Sequence, residues 1–254
     1  MLIYYQYQQA NFSCQRVAAS NMNPTNLHKL KVAAEEGRID LLYEVIVVDP
    51  SILENIDSIQ FVETPLHIAA FKGHLRFAIE IMNLKPSFAL KLNPQGFSPT
   101  HVAIQQNHKR MVFSFVGMNN NLVRVKGREG WTPLHFASHN EEVDLLAEFL
   151  DACPDSIEDV TVRSETALHI ALKNNKFKAL DLLVCFLKKN MKRGAKKLEY
   201  KILNWKDEDD NTILHISALC NEPKVTFNSV SCIDIFLLSS KSKKYIYCDR
   251  KYQQ

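Results

Sequence analysis

The chain has 254 residues, 46% of them apolar and 23% charged, with 7 glycines and a formal charge of +3 at pH 7. This is enough apolar material for one or two cored units, and it excludes a mainly disordered chain and the collagen and mucin compositions. A disulfide-dense secreted scaffold is excluded too, because the six cysteines (Cys14, Cys153, Cys185, Cys220, Cys232, Cys248) are scattered and form no Cys-x-x-Cys pair. Residues 225–254 hold five basic residues and two acidic ones, which leaves the rest of the chain neutral at 26 against 26. Net charge therefore gives no argument for nucleic-acid binding, and none is expected.

The first residues, Met1 to Ala10, have no basic region followed by a long apolar stretch, so no secretory signal is read there. Residues 1–23, rich in Tyr, Gln and Asn, are expected to be disordered. Scattered cysteines without a signal suit a reducing, cytoplasmic setting.

From there the chain repeats. Thr64-Pro-Leu-His-Ile-Ala-Ala70, Ser98-Pro-Thr-His-Val-Ala-Ile104, Thr132-Pro-Leu-His-Phe-Ala-Ser138, Thr166-Ala-Leu-His-Ile-Ala-Leu172 and Thr212-Ile-Leu-His-Ile-Ser-Ala218 start 34, 34, 34 and 46 residues apart. A degenerate copy starts at His28, which makes six copies. Thr or Ser accepts a bond from an orphan backbone N–H at a helix start, and Pro65, Pro99 and Pro133 follow where a missing N–H costs nothing. Small residues five positions on (Ala33, Ala69, Ala103, Ala137, Ala171, Ser217) let a neighbouring helix approach. Nine positions on, Gly37, Gly73, Asn107, Glu141, Asn175 and Asn221 mark a turn of left-handed type, with Glu141 the departure. A second helix follows, with apolar pairs such as Leu145/Leu146 and Phe149/Leu150. Such pairs bury their stripes only by stacking, so the fold expected is an all-α solenoid of helix-turn-helix units with β-turn or hairpin tips.

The Thr-Pro-Leu-His-x-Ala pattern at this period resembles the ankyrin repeat. The segments Asp49-Pro-Ser-Ile-Leu-Glu-Asn55, Leu84-Lys-Pro-Ser-Phe-Ala89, Val123-Arg-Val-Lys-Gly-Arg128 and Leu203-Asn-Trp-Lys-Asp207 further resemble the interrepeat segments of plant ankyrin proteins of the bian-da and accelerated-cell-death type. The resemblance implies an ankyrin array followed by a C-terminal bundle of membrane helices at the cytosolic face of the plasma membrane, and a role in defence and cell-death signalling. The array is expected over residues 24–225. The sixth copy loses its second helix after Val225, and residues 226–254 match neither repeat nor membrane segment. The apolar run Val225 to Leu238 is too short and too polar to span a bilayer. A truncated product, or a gene model that reads past an exon end near Lys224-Val225, is expected.

Three groups of residues are candidates for function. His67, His101, His135, His169 and His215 recur with their caps Thr64, Ser98, Thr132, Thr166 and Thr212. Stacked helices lie about 8 to 10 Å apart and metal ligands must lie about 2 Å from one ion, so each imidazole is expected to bond its own cap hydroxyl and the adjacent repeat's backbone. At the turn tips, Phe97 and Trp131 with Gln95, Arg128 and Glu129 supply aromatic and Arg types that dominate protein interfaces, and ordinary tip packing would use the same residues. The run Lys188, Lys189, Lys192, Arg193, Lys196 and Lys197 fills a 12-residue insertion (about 188–201) that lengthens a helix end or a loop. It suits contact with acidic lipid headgroups, nuclear import, or plain solvation. Cys153 and Cys185 are expected as small buried hydrophobes. No catalytic motif is found, so neither enzyme activity nor a cofactor is expected and the partner expected is another protein. The alternative is a soluble fragment of a multi-pass receptor- or channel-like membrane protein.

Overall fold

The computed structural model describes residues 23–191 and 196–219. The disorder expected before Asn23, the turn residue Asn221 and the tail 226–254 lie outside the described residues. The first helices of the repeats are α1 (Pro24–Glu36), α4 (Pro65–Lys72), α6 (Pro99–Gln105), α8 (Pro133–Asn140), α10 (Ala167–Lys173) and α13 (Ile213–Leu219). The second helices are α2 (Ile39–Val48), α5 (Leu75–Leu84), α7 (Lys109–Met118), α9 (Val143–Ala152) and α11 (Phe177–Met191). Short elements return the chain to the next tip: α3 (Ile52–Asp57), 3-10 turns at Pro86–Leu90, Asn120–Arg124 and Pro154–Glu158, and α12 (Lys196–Leu203).

First helices stack on first helices from α1 through α13, and second helices stack likewise from α5 through α11. Ala33, Ala69, Ala103, Ala137 and Ala171 are all 0% exposed, because each is the small residue against which the neighbouring first helix sits. Val45, Ile81, Phe115, Phe149 and Leu183 form the matching buried ladder of the second helices. At the helix-to-helix turns Gly37, Gly73, Asn107, Glu141 and Asn175 all have positive φ, from 56° to 81°.

Two expectations are corrected. The helix of the first copy does not start at His28, the position of the caps in the other copies: α1 starts more than a turn earlier, with Pro24 at its first position and the Asn23 side chain accepting from Thr25 N at 3.0 Å. Asn is as good a cap as Thr, and Pro24 has the preset φ of a first helical residue. Cys185 is exposed rather than buried, because it lies on the solvent side of α11, and Cys153 is half-buried at the end of α9. The basic insertion lengthens α11 to 15 residues and adds the 8-residue α12, where the three repeats before it have 10-residue second helices and 5-residue 3-10 turns.

Candidate functional site: an aromatic groove between two repeats

Each tip is a tight turn closed by paired backbone bonds. Asn93 N donates to Phe97 O (2.8 Å) and Gly96 N to Asn93 O (2.9 Å); in the next copy Gly127 N donates to Trp131 O (2.8 Å) and Gly130 N to Gly127 O (3.0 Å). Among the described residues the tips form no strands, and the isolated β-bridge there is Phe61 with Leu92. Successive tips are tied by one bond each, Arg128 N to Gly96 O (2.7 Å), Val162 N to Glu129 O (2.9 Å) and Glu208 N to Arg163 O (3.0 Å). The first needs glycine: Gly96 has φ +83°, and a Cβ on Gly127 would lie 2.9 Å from Gly96 O.

That register sets the side chains that follow the tips. Phe97 and Trp131 lie half-buried on either side of Phe136, which projects from α8. The Phe97 and Phe136 ring centres are 5.9 Å apart at 80°, and those of Trp131 and Phe136 are 5.1 Å apart at 63°. Both are edge-to-face arrangements favoured by the ring quadrupoles. His139 closes the row, 5.6 Å from Trp131. These rings, with Arg128 and Glu129 from the tip and Gln105 and Asn140 from α6 and α8, line an open groove of about 390 Å³. Arg128 and Glu129 are exposed on its rim, their charged ends 3.9 Å apart.

The structure thus brings together four of the five tip residues singled out from the sequence, Phe97, Arg128, Glu129 and Trp131. Gln95 is exposed on its tip and does not line the groove. The aromatics are half-buried and packed, with Phe136 filling the space between them. Phe136 itself was missed, although its place inside the Thr-Pro-Leu-His-Phe-Ala copy, where other copies have Ile or Val, was the available signal.

The periodic histidines are structural by their geometry. The Thr64 hydroxyl lies 2.8 Å from His67 Nδ1, Thr64 N donates to that same nitrogen (3.2 Å), and Nε2 reaches Phe97 O at 3.0 Å. A carbonyl only accepts, so Nε2 carries the proton, Nδ1 accepts, and the ring is neutral. His101 repeats this with Ser98 (2.7 Å) and Trp131 O (3.1 Å), and His135 with Thr132 (2.8 Å) and Glu165 O (3.2 Å). His169 does so with Thr166 (2.7 Å) and Asn211 O (3.4 Å), whereas His215 has its contact to Thr212 (2.8 Å) and an exposed ring. Burial pulls His67 down to about 4, His101 to about 3 and His135 to about 4, and lowers His169 as well. Rings engaged at both nitrogens have no lone pair for a metal, and no metal-binding cluster is found among the described residues.

Two further histidines, His74 and His108, escaped the sequence reading. Their Nε2 atoms donate to Glu35 O (2.8 Å) and Phe71 O (3.2 Å) of the preceding repeat. Of the basic insertion, Lys188 and Lys189 end α11, where cations suit the helix C-terminus, and Lys196 and Lys197 open α12. Lys192 and Arg193 lie outside the described residues.

A stacked helix-pair solenoid whose tips and first helices form a groove, with every periodic polar group consumed in capping, defines a repeat scaffold of the protein-recognition class. The chain belongs to the ankyrin-repeat family: the model described as "Ankyrin repeats (3 copies)" matches residues 30–122 and 109–194. It is similar to the ankyrin repeat-containing protein BDA1 of Arabidopsis thaliana, with 44% identity over 207 residues, 82% of this chain and 48% of the relative. The chain therefore spans about half the length of the curated relative it matches.

Proposed function

We propose that this chain is a protein–protein recognition module in plant defence or cell-death signalling, acting by surface complementarity without chemistry of its own. The groove of Phe97, Trp131 and Phe136 carries this reading. Aromatic anchors beside an Arg, in a concavity held by tip-to-tip backbone bonds, are the arrangement that concentrates binding energy at protein interfaces. The similarity to BDA1 supports the defence setting. Changing Phe97 and Trp131 together to Ala is expected to reduce partner capture in a pulldown from plant extract by at least about tenfold, the loss of a single hot spot. Unchanged capture by a folded double variant contradicts the reading. Enzyme activity has no place in it.

A second reading, that this array is the soluble part of a multi-pass membrane protein, is favoured by the 48% share of the relative that the chain spans. Among the described residues no helix is long and apolar enough to cross a membrane. On this reading the array occupies about residues 24–225, works at the cytosolic face of the plasma membrane, and is joined in the intact product to apolar segments of about 20 residues each. Sequencing transcripts across the Lys224 codon tests it: a message encoding such segments supports it, and messages that all encode Thr226 to Gln254 and then stop contradict it.

A further inference from the structure

The first repeat presents an open face. His28 and Lys29 are exposed, whereas the corresponding Thr64 and Pro65, Ser98 and Pro99, and Thr132 and Pro133 are buried inside the stack. Val48 is 70% exposed, while its counterparts Leu84 and Met118 are 38% and 43% exposed. Between α1 and α2 this face holds a hollow of about 480 Å³, walled by Asn26 and Lys29 of α1 and by Asp40, Glu44, Val47 and Val48 of α2. Val47 is 79% exposed, and with Val48 it forms an apolar edge, where a terminal repeat facing only water is polar. The two walls also differ in charge. Lys29 is the cation of the α1 wall, and the α2 wall is acidic. Asp40 is engaged by Arg38 at 2.8 Å, and Glu44 lies one turn further along, beside the apolar edge.

We infer that a second copy of this chain docks on this face, the two open faces meeting across a two-fold axis that runs along the hollow. Such an axis lays α1 of each copy over α2 of the other, so the basic wall meets the acidic wall twice. Lys29 of each copy is brought to Glu44 of the other, and Val47 and Val48 of both copies leave water. The face is self-complementary because its two signs stand on opposite walls; a hollow of one sign would repel its own copy. A two-fold contact uses the same face on both copies, so the assembly stops at a dimer.

Sedimentation velocity on the full chain from about 1 to 200 µM tests this. The wild-type chain is expected to pass from monomer to dimer over that range. Lys29→Glu and Glu44→Lys, both at exposed positions, each set like charges together at the two symmetric contacts and are expected to weaken the dimer at least about tenfold. An equimolar mixture of the two variants is expected to restore it, because every contact then joins one acid to one base again. Restoration also requires that both variants be folded, so the mixture separates a lost contact from a lost fold. A wild-type chain that stays monomeric at about 200 µM would overturn the inference. A dimer indifferent to both substitutions, or one that the mixture fails to restore, would overturn it as well.

Discussion

At the residue scale, the repeat makes each departure measurable against its neighbours. Thr100 occupies the position of Leu66, Leu134 and Leu168, all 0% exposed, and its own Oγ1 is buried without a hydrogen-bond partner. An unsatisfied buried hydroxyl carries its full desolvation penalty, so the near-isosteric Thr100→Val is expected to stabilise the chain by about 1 kcal/mol, read from the midpoint of urea unfolding. This site was legible in the sequence, because comparison of aligned copies needs no structure. The partner of Gly37 was not. Its φ is +70°, and a Cβ there would lie 2.7 Å from His74 Cγ and 3.1 Å from His74 Cβ, so the whole His74 ring would have to leave its place. Gly37→Ala is expected to cost about 2 kcal/mol or more, the left-handed penalty plus displacement of the His74 ring from Glu35 O. In a His74→Ala background the cost should drop to about 1 to 2 kcal/mol, and a double-mutant cycle by chemical denaturation reads the coupling. The contact crosses 37 positions between copies, and a motif read within one copy cannot contain it.

At the element scale, the junctions between repeats are clamped by charge. The two guanidinium nitrogens of Arg124 grip the nearly buried Asp159, with Nη2 to Oδ1 at 2.6 Å and Nε to Oδ2 at 2.9 Å, and Lys85 reaches Asp57 at 3.0 Å. Lys109 pairs with Glu142 and Lys201 with Glu158. Glu141, the departure among the turn residues, has a compensating task of this kind: its carboxylate accepts from Lys178 N at 2.9 Å and so caps the start of the next repeat's second helix. The fullest clamp precedes the last tip, where Lys173 bridges Glu165 (2.7 Å) and Asp207 (2.8 Å), while Asp207 Oδ1 also accepts from Asp209 N and Asn211 N. Burial alone would raise the Asp207 carboxyl, but Lys173 and the tip N–H groups outweigh it and hold it below its ordinary value. Asp207→Asn keeps the tip acceptor and removes the charge opposite Lys173, so it is expected to cost about 1.5 to 3 kcal/mol in urea unfolding. The tip itself was visible as a spacing to Thr212, but its clamp was not, because ion pairing between repeats depends on which way each long side chain leaves its turn. The same limit hid the course of the insertion: composition marked it as basic, and only packing of Ile202 into the core decides that its second half is a helix.

At the scale of the whole molecule, the histidine row makes the array respond to pH as one unit. The period, the caps and the helix pairs were all legible, since each is a local preference repeated, and together they gave the solenoid. What they could not give was depth: His67, His101, His135 and His169 are each 0% exposed, because the next repeat closes over them. An unfolded histidine titrates near 6.5, whereas the folded rings hold no proton until about pH 4 at His67 and His135 and about pH 3 at His101. The unfolded chain therefore binds more protons below pH 6.5, and stability must fall with pH across the interval down to the folded values. At pH 5 each of these three rings is expected to remove about 2 kcal/mol, and His169, also lowered, acts in the same direction. The carboxylates Asp57 and Asp207, both held below their ordinary values, add a further loss at lower pH that begins as their unfolded forms protonate. Urea midpoints measured from pH 8 to pH 4 should be level above about pH 7 and fall steeply below 6.5. His135→Asn should flatten that fall while lowering stability at pH 7.5, because the bond to Glu165 O goes with the titrating group. A level profile from pH 7 to pH 5 would mean that protonated imidazoles are tolerated inside the stack, which the paired engagement of both ring nitrogens forbids.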